Sequence, residues 1–171
     1  MKERIGFYAG SFDPFTNGHL HVVTQASKVF DKLIIGIGIN PDKKRRFDVE
    51  KMKKAIEQVL VINSLVNVSV IIYKTLSVKV AVDCGATFFV RGIRNSIDYA
   101  YEEDLASFNK KYSQIETVYF RAGDLGNVSS SMVMNLLKFG EDVSEYLPDE
   151  ILKLVKENYK SNWSTSFINS Y

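Results

Sequence analysis

Continuous apolar runs alternate with amphipathic stretches along the chain. RIGFYA (4–9), KLIIGIGI (32–39), VSVIIY (68–73), TFFVRG (87–92) and TVYFRA (117–122) read as five buried strands. Between them, LHVVTQASKVF (20–30) predicts a helix with Val22, Val23, Ala26 and Phe30 near one face. DVEKMKKAIEQVLV (48–61) predicts another, opened by Asp48 as N-cap and striped by Met52, Ile56 and Leu60. SVKVAVDCGA (77–86) predicts a short helix that Gly85 ends, and SIDYAYEEDLASFNKKYS (96–113) a long one. SSMVMNLLKFG (130–140) and DEILKLVKENYK (149–160) are helical, with Pro148 placed just before the last. Strand–helix alternation with near-continuous apolar strands argues for an α/β fold: a doubly wound, parallel, five-stranded sheet with helices on both faces, closed by C-terminal helices. One domain is expected over 1–160, and the polar, aromatic SNWSTSFINSY (161–171) is expected as a C-terminal extension or oligomer contact.

Composition narrows the class. A chain of 171 residues, 46% hydrophobic and 25% charged, is that of a soluble globular domain with a full core. A net charge of +2 gives no footing for a nucleic-acid partner. No run approaches the about 18 uninterrupted apolar residues of a membrane span, and the N-terminus lacks signal-peptide features. The single cysteine, Cys84, fits a reduced, cytoplasmic setting and reads as a small buried hydrophobe.

The chemistry is concentrated after the first strand, in GSFDPFTNGHL (10–20). In parallel sheets ligands bind beyond the strands' carboxyl ends, and this is the first strand–helix turn. Asn17 and Gly18 lead into the helix, so His19 lies in its first turn, among unsatisfied N–H groups that attract phosphate. Ser11 adds a hydroxyl from the facing lip. His21 points about 200° away from His19 and cannot share a metal with it; it reads as a surface or packing residue. The glycines match neither G-x-G-x-x-G nor the P-loop. No protein metal site is expected.

The tetrad Thr16-Asn17-Gly18-His19 resembles the T/H-x-G-H signature of a nucleotidyltransferase superfamily, with a Rossmann-like core. NPDKKRRF (40–47), VRGIRNSIDYAYEEDLASFNKKY (90–112) and VSSSMVMNLLKFGEDVSEYLP (128–148) narrow the resemblance to the phosphopantetheine adenylyltransferases, over about residues 4 to 155. The resemblance implies transfer of an adenylyl group from ATP to 4′-phosphopantetheine, giving dephospho-CoA and pyrophosphate, with Mg²⁺ carried by ATP. It implies a homohexamer and coenzyme A as a feedback ligand. It also implies that His19 stabilises the transition state at the α-phosphate. Ser11 then contacts the incoming phosphate, Phe12 lends backbone to the nucleotide, and Lys43 and Arg91 hold the phosphopantetheine phosphate. Gly92, Ile93 and Arg94 line the ATP site. Glu102 binds the nucleotide side, or else pairs with a lysine on its helix. Leu125, near adenine, and Gly126, Asn127 and Val128 belong to the ATP site. Ser129, Ser130 and Ser131 cap a helix and cradle the outer phosphates.

Several positions depart from that pattern. Met134 stands where a Lys or Arg is common, Leu125 where an aromatic often lies, and Ser77 at a pantetheine contact that is often apolar; Leu76 keeps the neighbouring apolar contact. Lys44 and Arg45 are expected to be solvated. Three other readings stand beside this one. A nicotinate mononucleotide adenylyltransferase shares the turn, but Thr16 and the triple serine disfavour it. A non-catalytic nucleotide binder on the same fold is disfavoured by His19, Lys43, Arg91 and Arg94 together. An RNA-binding module using Lys43 to Arg46 lacks an exposed stacking platform.

Overall fold

A computed structural model describes residues 3–94 and 96–166. Strands β1 (Ile5–Gly10), β2 (Lys32–Gly38), β3 (Val68–Tyr73), β4 (Phe88–Ile93) and β5 (Glu116–Arg121) form one sheet in the order β3-β2-β1-β4-β5. All neighbours are parallel. Helices α1 (Asn17–Ser27), α2 (Val49–Ile62), α3 (Ser77–Asp83), α4 (Ser96–Ser113), α5 (Ser130–Lys138) and α6 (Asp149–Ser166) complete the chain, with single 3₁₀ turns at Gly123–Leu125 and Ser144–Tyr146. This is the expected Rossmann-like doubly wound sheet.

The two-residue alternation of strand side chains divides the core. Leu33, Ile35 and Ile37 of β2 are fully buried toward one face, where Val22, Val23 and Ala26 of α1, Ile56 of α2, Val133 of α5 and Ile151 of α6 cover them. Phe7 of β1 and Phe89 of β4 face the other way, against Val78 and Ala81 of α3. Each such side chain contributes about 1.5–3 kcal/mol by leaving water. The first layer is the larger.

Some boundaries differ from the periodic reading. α1 starts at Asn17 rather than 20, because Thr16 caps it. α3 stops at Asp83, where Cys84 becomes the C-cap and Gly85 turns left-handed at φ +69°. Cys84 is therefore half-buried rather than fully buried, and what burial it has pushes its thiol up. α6 runs on through Ser166, so the stretch read as an extension is helical over 161–166. Ser, Asn and Thr lower helix propensity by only a few tenths of a kcal/mol each, and neither Gly nor Pro stands there to break it. Residues 167–171 of that extension lie outside the described residues.

One detail of register makes the site. β1 and β2 pair along the whole of β1, from Ile5↔Lys32 to Gly10↔Ile37. β1 and β4 pair only at Gly6↔Phe88 and Phe7↔Phe89. Beyond Phe7 they diverge. This is also where strand order reverses, so a crevice opens between their carboxyl ends.

Candidate active site

The crevice holds about 450 Å³, within the usual range for a small-molecule site. Its floor is the β1–α1 turn. Gly10 has no room for a side chain: a Cβ there would sit 2.8 Å from the Phe12 ring. Phe12 itself adopts φ +44°, a region that bulky residues rarely enter. Packing holds it there, with Tyr8 at 5.3 Å and Phe15 at 5.6 Å between ring centroids. Buried Asp13 holds the next residue, accepting the backbone N–H of Arg46 at 2.9 Å and of Phe47 at 3.1 Å.

His19 is the third residue of α1 and completes a capping box with Thr16. Its Nδ1 accepts the Thr16 backbone N–H at 2.9 Å. An accepting Nδ1 carries no proton, so the neutral ring bears its proton on Nε2, on the side left for the crevice. Burial, then the charge of Arg94, lowers the His19 pKa to about 4. The imidazole is thus a neutral N–H donor near pH 7. Gly18 lets α1 meet the lead-in to α5: a Cβ there would lie 2.7 Å from the Val128 carbonyl oxygen.

Cations line the opposite wall. Arg91 Nη1 donates to the Ala9 carbonyl at 2.9 Å, taking an acceptor that the diverging strands leave open. Its Nε and Nη2 both donate to the Glu102 carboxylate. Burial pushes the Arg91 pKa down, but hydrogen bonding to Glu102 and its charge outweigh that and hold it above the ordinary value. Arg94 forms a second two-pronged pair, with Asp98, at 2.9 and 3.3 Å. At the third side, Ser129 caps α5 by accepting the Met132 N–H at 3.1 Å, and Ser130 Oγ donates to the Pro14 carbonyl at 2.8 Å, tying α5 to the β1–α1 turn. Two helix N-termini and two guanidinium groups therefore surround one hollow, an arrangement suited to a polyphosphate.

The sequence-selected residues divide. Ser11, Phe12, His19, Arg91, Gly92, Arg94, Glu102, Leu125, Val128, Ser129, Ser130 and Ser131 line the crevice. Ile93, Gly126 and Asn127 are chain neighbours of that lining and are not part of it. Lys43 stands exposed on the loop after β2, its N–H donating to the Asn40 carbonyl. Ser77 opens α3 beyond β3, close to Tyr73, a residue that also feels the charge of Arg91. The expectation for Arg45 is corrected: its side chain is only 15% exposed and lies against the β1–α1 turn, while Lys44 is exposed. Met134 is buried in the core, so position 134 does not face the crevice. Sequence reasoning missed Tyr8, hidden as one more apolar strand position, and Asp98, whose i, i+4 spacing from Arg94 was a usable signal. Among the described residues no group of three or more His, Cys, Asp or Glu could hold a metal.

A Rossmann-like sheet with a histidine-bearing turn and a cationic rim defines a nucleotidyltransferase. The cytidylyltransferase-like family pattern matches residues 7–136. A phosphopantetheine adenylyltransferase from Streptococcus pneumoniae is 42% identical over 163 residues, covering 94% of this chain and 99% of that one. Another, from Streptococcus uberis, is 39% identical over 165 residues, covering 95% and 98%. The chain belongs to the phosphopantetheine adenylyltransferase family. A solved structure from Vibrio parahaemolyticus, assigned as a nicotinate-nucleotide adenylyltransferase, superposes with a TM-score of 0.67 at 18% identity, covering 91% of this chain and 93% of that one. That likeness is one of fold.

Proposed function

We propose that the crevice transfers the adenylyl group of ATP to 4′-phosphopantetheine, giving dephospho-CoA and pyrophosphate. The observation that carries the chemical reading is His19, neutral and tautomer-fixed, at a helix start between two arginines and a second helix start. The relatives' name supplies the acceptor.

The acceptor is a phosphate monoester with a second pKa near about 6, so it arrives largely as a dianion and needs no general base. One of its oxygens attacks the α-phosphorus. The bond from that phosphorus to the β-bridging oxygen breaks, and pyrophosphate leaves with the electron pair. The enzyme aligns the two anions and spreads the charge that accumulates at the α-phosphoryl oxygens. His19 Nε2–H serves those oxygens. Ser11 contacts the incoming phosphate, and the Phe12 backbone the nucleotide. Backbone N–H groups at Ser129, Ser130 and Ser131, with Arg94, take the outer phosphates. Gly92, Ile93, Leu125, Gly126, Asn127 and Val128 flank the nucleoside, with Leu125 offering an apolar contact to the base. Arg91 and Lys43 hold the acceptor phosphate, and Ser77 lies along its pantetheine arm. Glu102 acts from the nucleotide side by orienting Arg91. The donors present are cations and N–H groups, which fit phosphate oxygens; Mg²⁺ enters as the ATP complex, a substrate.

By the same family reading the enzyme is a cytoplasmic homohexamer with coenzyme A as a feedback ligand. Among the described residues no helix is long and apolar enough to cross a membrane. Exposed Val61, Ile62, Val66, Tyr101 and Tyr112 supply apolar surface for assembly.

The test is pyrophosphate release with MgATP and either 4′-phosphopantetheine or nicotinate mononucleotide. Turnover with the first and none with the second is expected. Lys43→Ala and Arg91→Ala should each raise KM for the first about tenfold or more, the size of a lost charge-assisted phosphate contact. Turnover with nicotinate mononucleotide alone would overturn the reading.

A further inference from the structure

Four consecutive cations, Lys43 to Arg46, follow β2, and nothing in their order separates them. The structure does. Lys43 and Lys44 face solvent, whereas Arg45 turns inward under the β1–α1 turn. Its Nη1 donates to the Ser11 carbonyl at 2.8 Å, and its Nε to the Phe47 carbonyl at 3.4 Å. Its Nη2 lies 3.6 Å from Asp13 Oδ1 and is buried with no hydrogen-bond partner. Asp13 returns the grip by accepting the N–H groups of Arg46 and Phe47. Each loop thus holds the other's backbone with a charged side chain.

Covering a guanidinium costs several kcal/mol unless it is fully paired, and here the pairing is incomplete. Stability alone does not account for that. The place of the contact does. The Ser11 carbonyl belongs to the peptide plane that enters Phe12, the residue at φ +44°. A charged donor on that oxygen holds the tilt of the plane between Ser11 and Phe12. The same side chain tethers the loop that carries Lys43.

We propose that Arg45 is a positioning residue for the acceptor. It locks the Ser11–Phe12 peptide plane and ties the Lys43 loop to it, so that the acceptor phosphate meets the α-phosphorus in line. This rests on the reading of Ser11 and Lys43 as acceptor contacts. Displacement of a reacting group by about 1 Å can slow a reaction about 10²-fold, so loosening this tether slows turnover without abolishing nucleotide binding.

Arg45→Met keeps an unbranched apolar stem and removes every side-chain N–H. Its kcat/KM for 4′-phosphopantetheine is expected to fall at least tenfold, while the Kd for adenosine 5′-(α,β-methylene)triphosphate, read by calorimetry, stays within twofold of wild type. Arg45→Lys restores a charge beside Asp13 but cannot also reach the Ser11 carbonyl, so it should recover thermal stability and not turnover. A lowered melting temperature with unchanged constants per folded site would make Arg45 merely structural and sink the inference. So would wild-type kinetics in Arg45→Lys, which decides the matter should Arg45→Met not fold. Wild type and Lys43→Ala are assayed in parallel. No turnover by wild type condemns the assigned reaction. A raised KM in Lys43→Ala beside normal Arg45 variants condemns this inference alone.

Discussion

Imidazole 19 can donate because its other nitrogen is already taken. Thr16 supplies the backbone N–H that occupies Nδ1, and the same contact closes the cap of α1. One local interaction therefore starts the helix and selects the Nε2–H tautomer. His19→Ala removes the donor but leaves both arginine pairs and the α5 terminus in place. Loss of one preorganised donor typically costs about 10²–10³ in rate. We expect kcat to fall about 10² or more with little change in affinity for the ATP analogue; single-turnover kinetics beside calorimetry will check it, and normal turnover would remove His19 from the mechanism. The position of His19 was legible in the sequence, because a strand–turn–helix junction is written in local residue types. Its tautomer was not, because that depends on which backbone N–H the folded turn directs at the ring. Arg45 fails the same way: a row of cations reads as solvated until a partner segment from elsewhere in the chain is in place.

Among the elements, the decisive events are a divergence and an approach. β1 and β4 separate after Phe7, and Arg91 spans the gap to Ala9. α1 and the lead-in to α5 come together over Gly18, where only hydrogen fits before the Val128 carbonyl. Inside a helix, Gly→Ala ordinarily stabilises by about 1 kcal/mol. At Gly18 the sign should reverse, since a Cβ at 2.7 Å from a backbone oxygen forces the two N-termini apart. Overpacking of this kind costs about 1–3 kcal/mol. Gly18→Ala is therefore expected to lower the urea midpoint and to weaken binding of the ATP analogue at least tenfold; a raised midpoint with unaltered binding would show that the approach does not shape the site. Strand and helix identities followed from period-two and period-3.6 patterns. The helix ends followed less well, and α6 ran past its last apolar stripe because no glycine or proline stopped it.

For the molecule as a whole, the partly buried His19 links stability to pH. Its folded pKa of about 4 lies below the about 6.5 of an exposed imidazole. Above that higher value both states are neutral and nothing is lost. As pH falls from about 6.5 to about 4 the unfolded chain takes up the proton first, so stability declines across that window, by about 3 kcal/mol. His19→Asn has no such proton. Urea denaturation at pH 7 and pH 4.5 should show wild type losing more stability than His19→Asn, while carboxylate titrations affect both alike. Parallel losses in the two proteins would place the imidazole in a more exposed setting than the structure gives it.

Apolar periodicity named the layers, the parallel sheet and the rim where ligands meet it, because each of these is encoded within a dozen consecutive residues. The same local reach located the strand–turn–helix junction that carries His19 and lines the crevice, and resemblance supplied the chemistry proposed for it. Pairing was different. Arg91 with Glu102, Arg45 with Asp13 and the Ser11 carbonyl, and Gly18 against Val128 each join segments that no local pattern relates. A charge or a small side chain acquires its role from what folding sets opposite it, and that opposition exists only once the sheet has assembled.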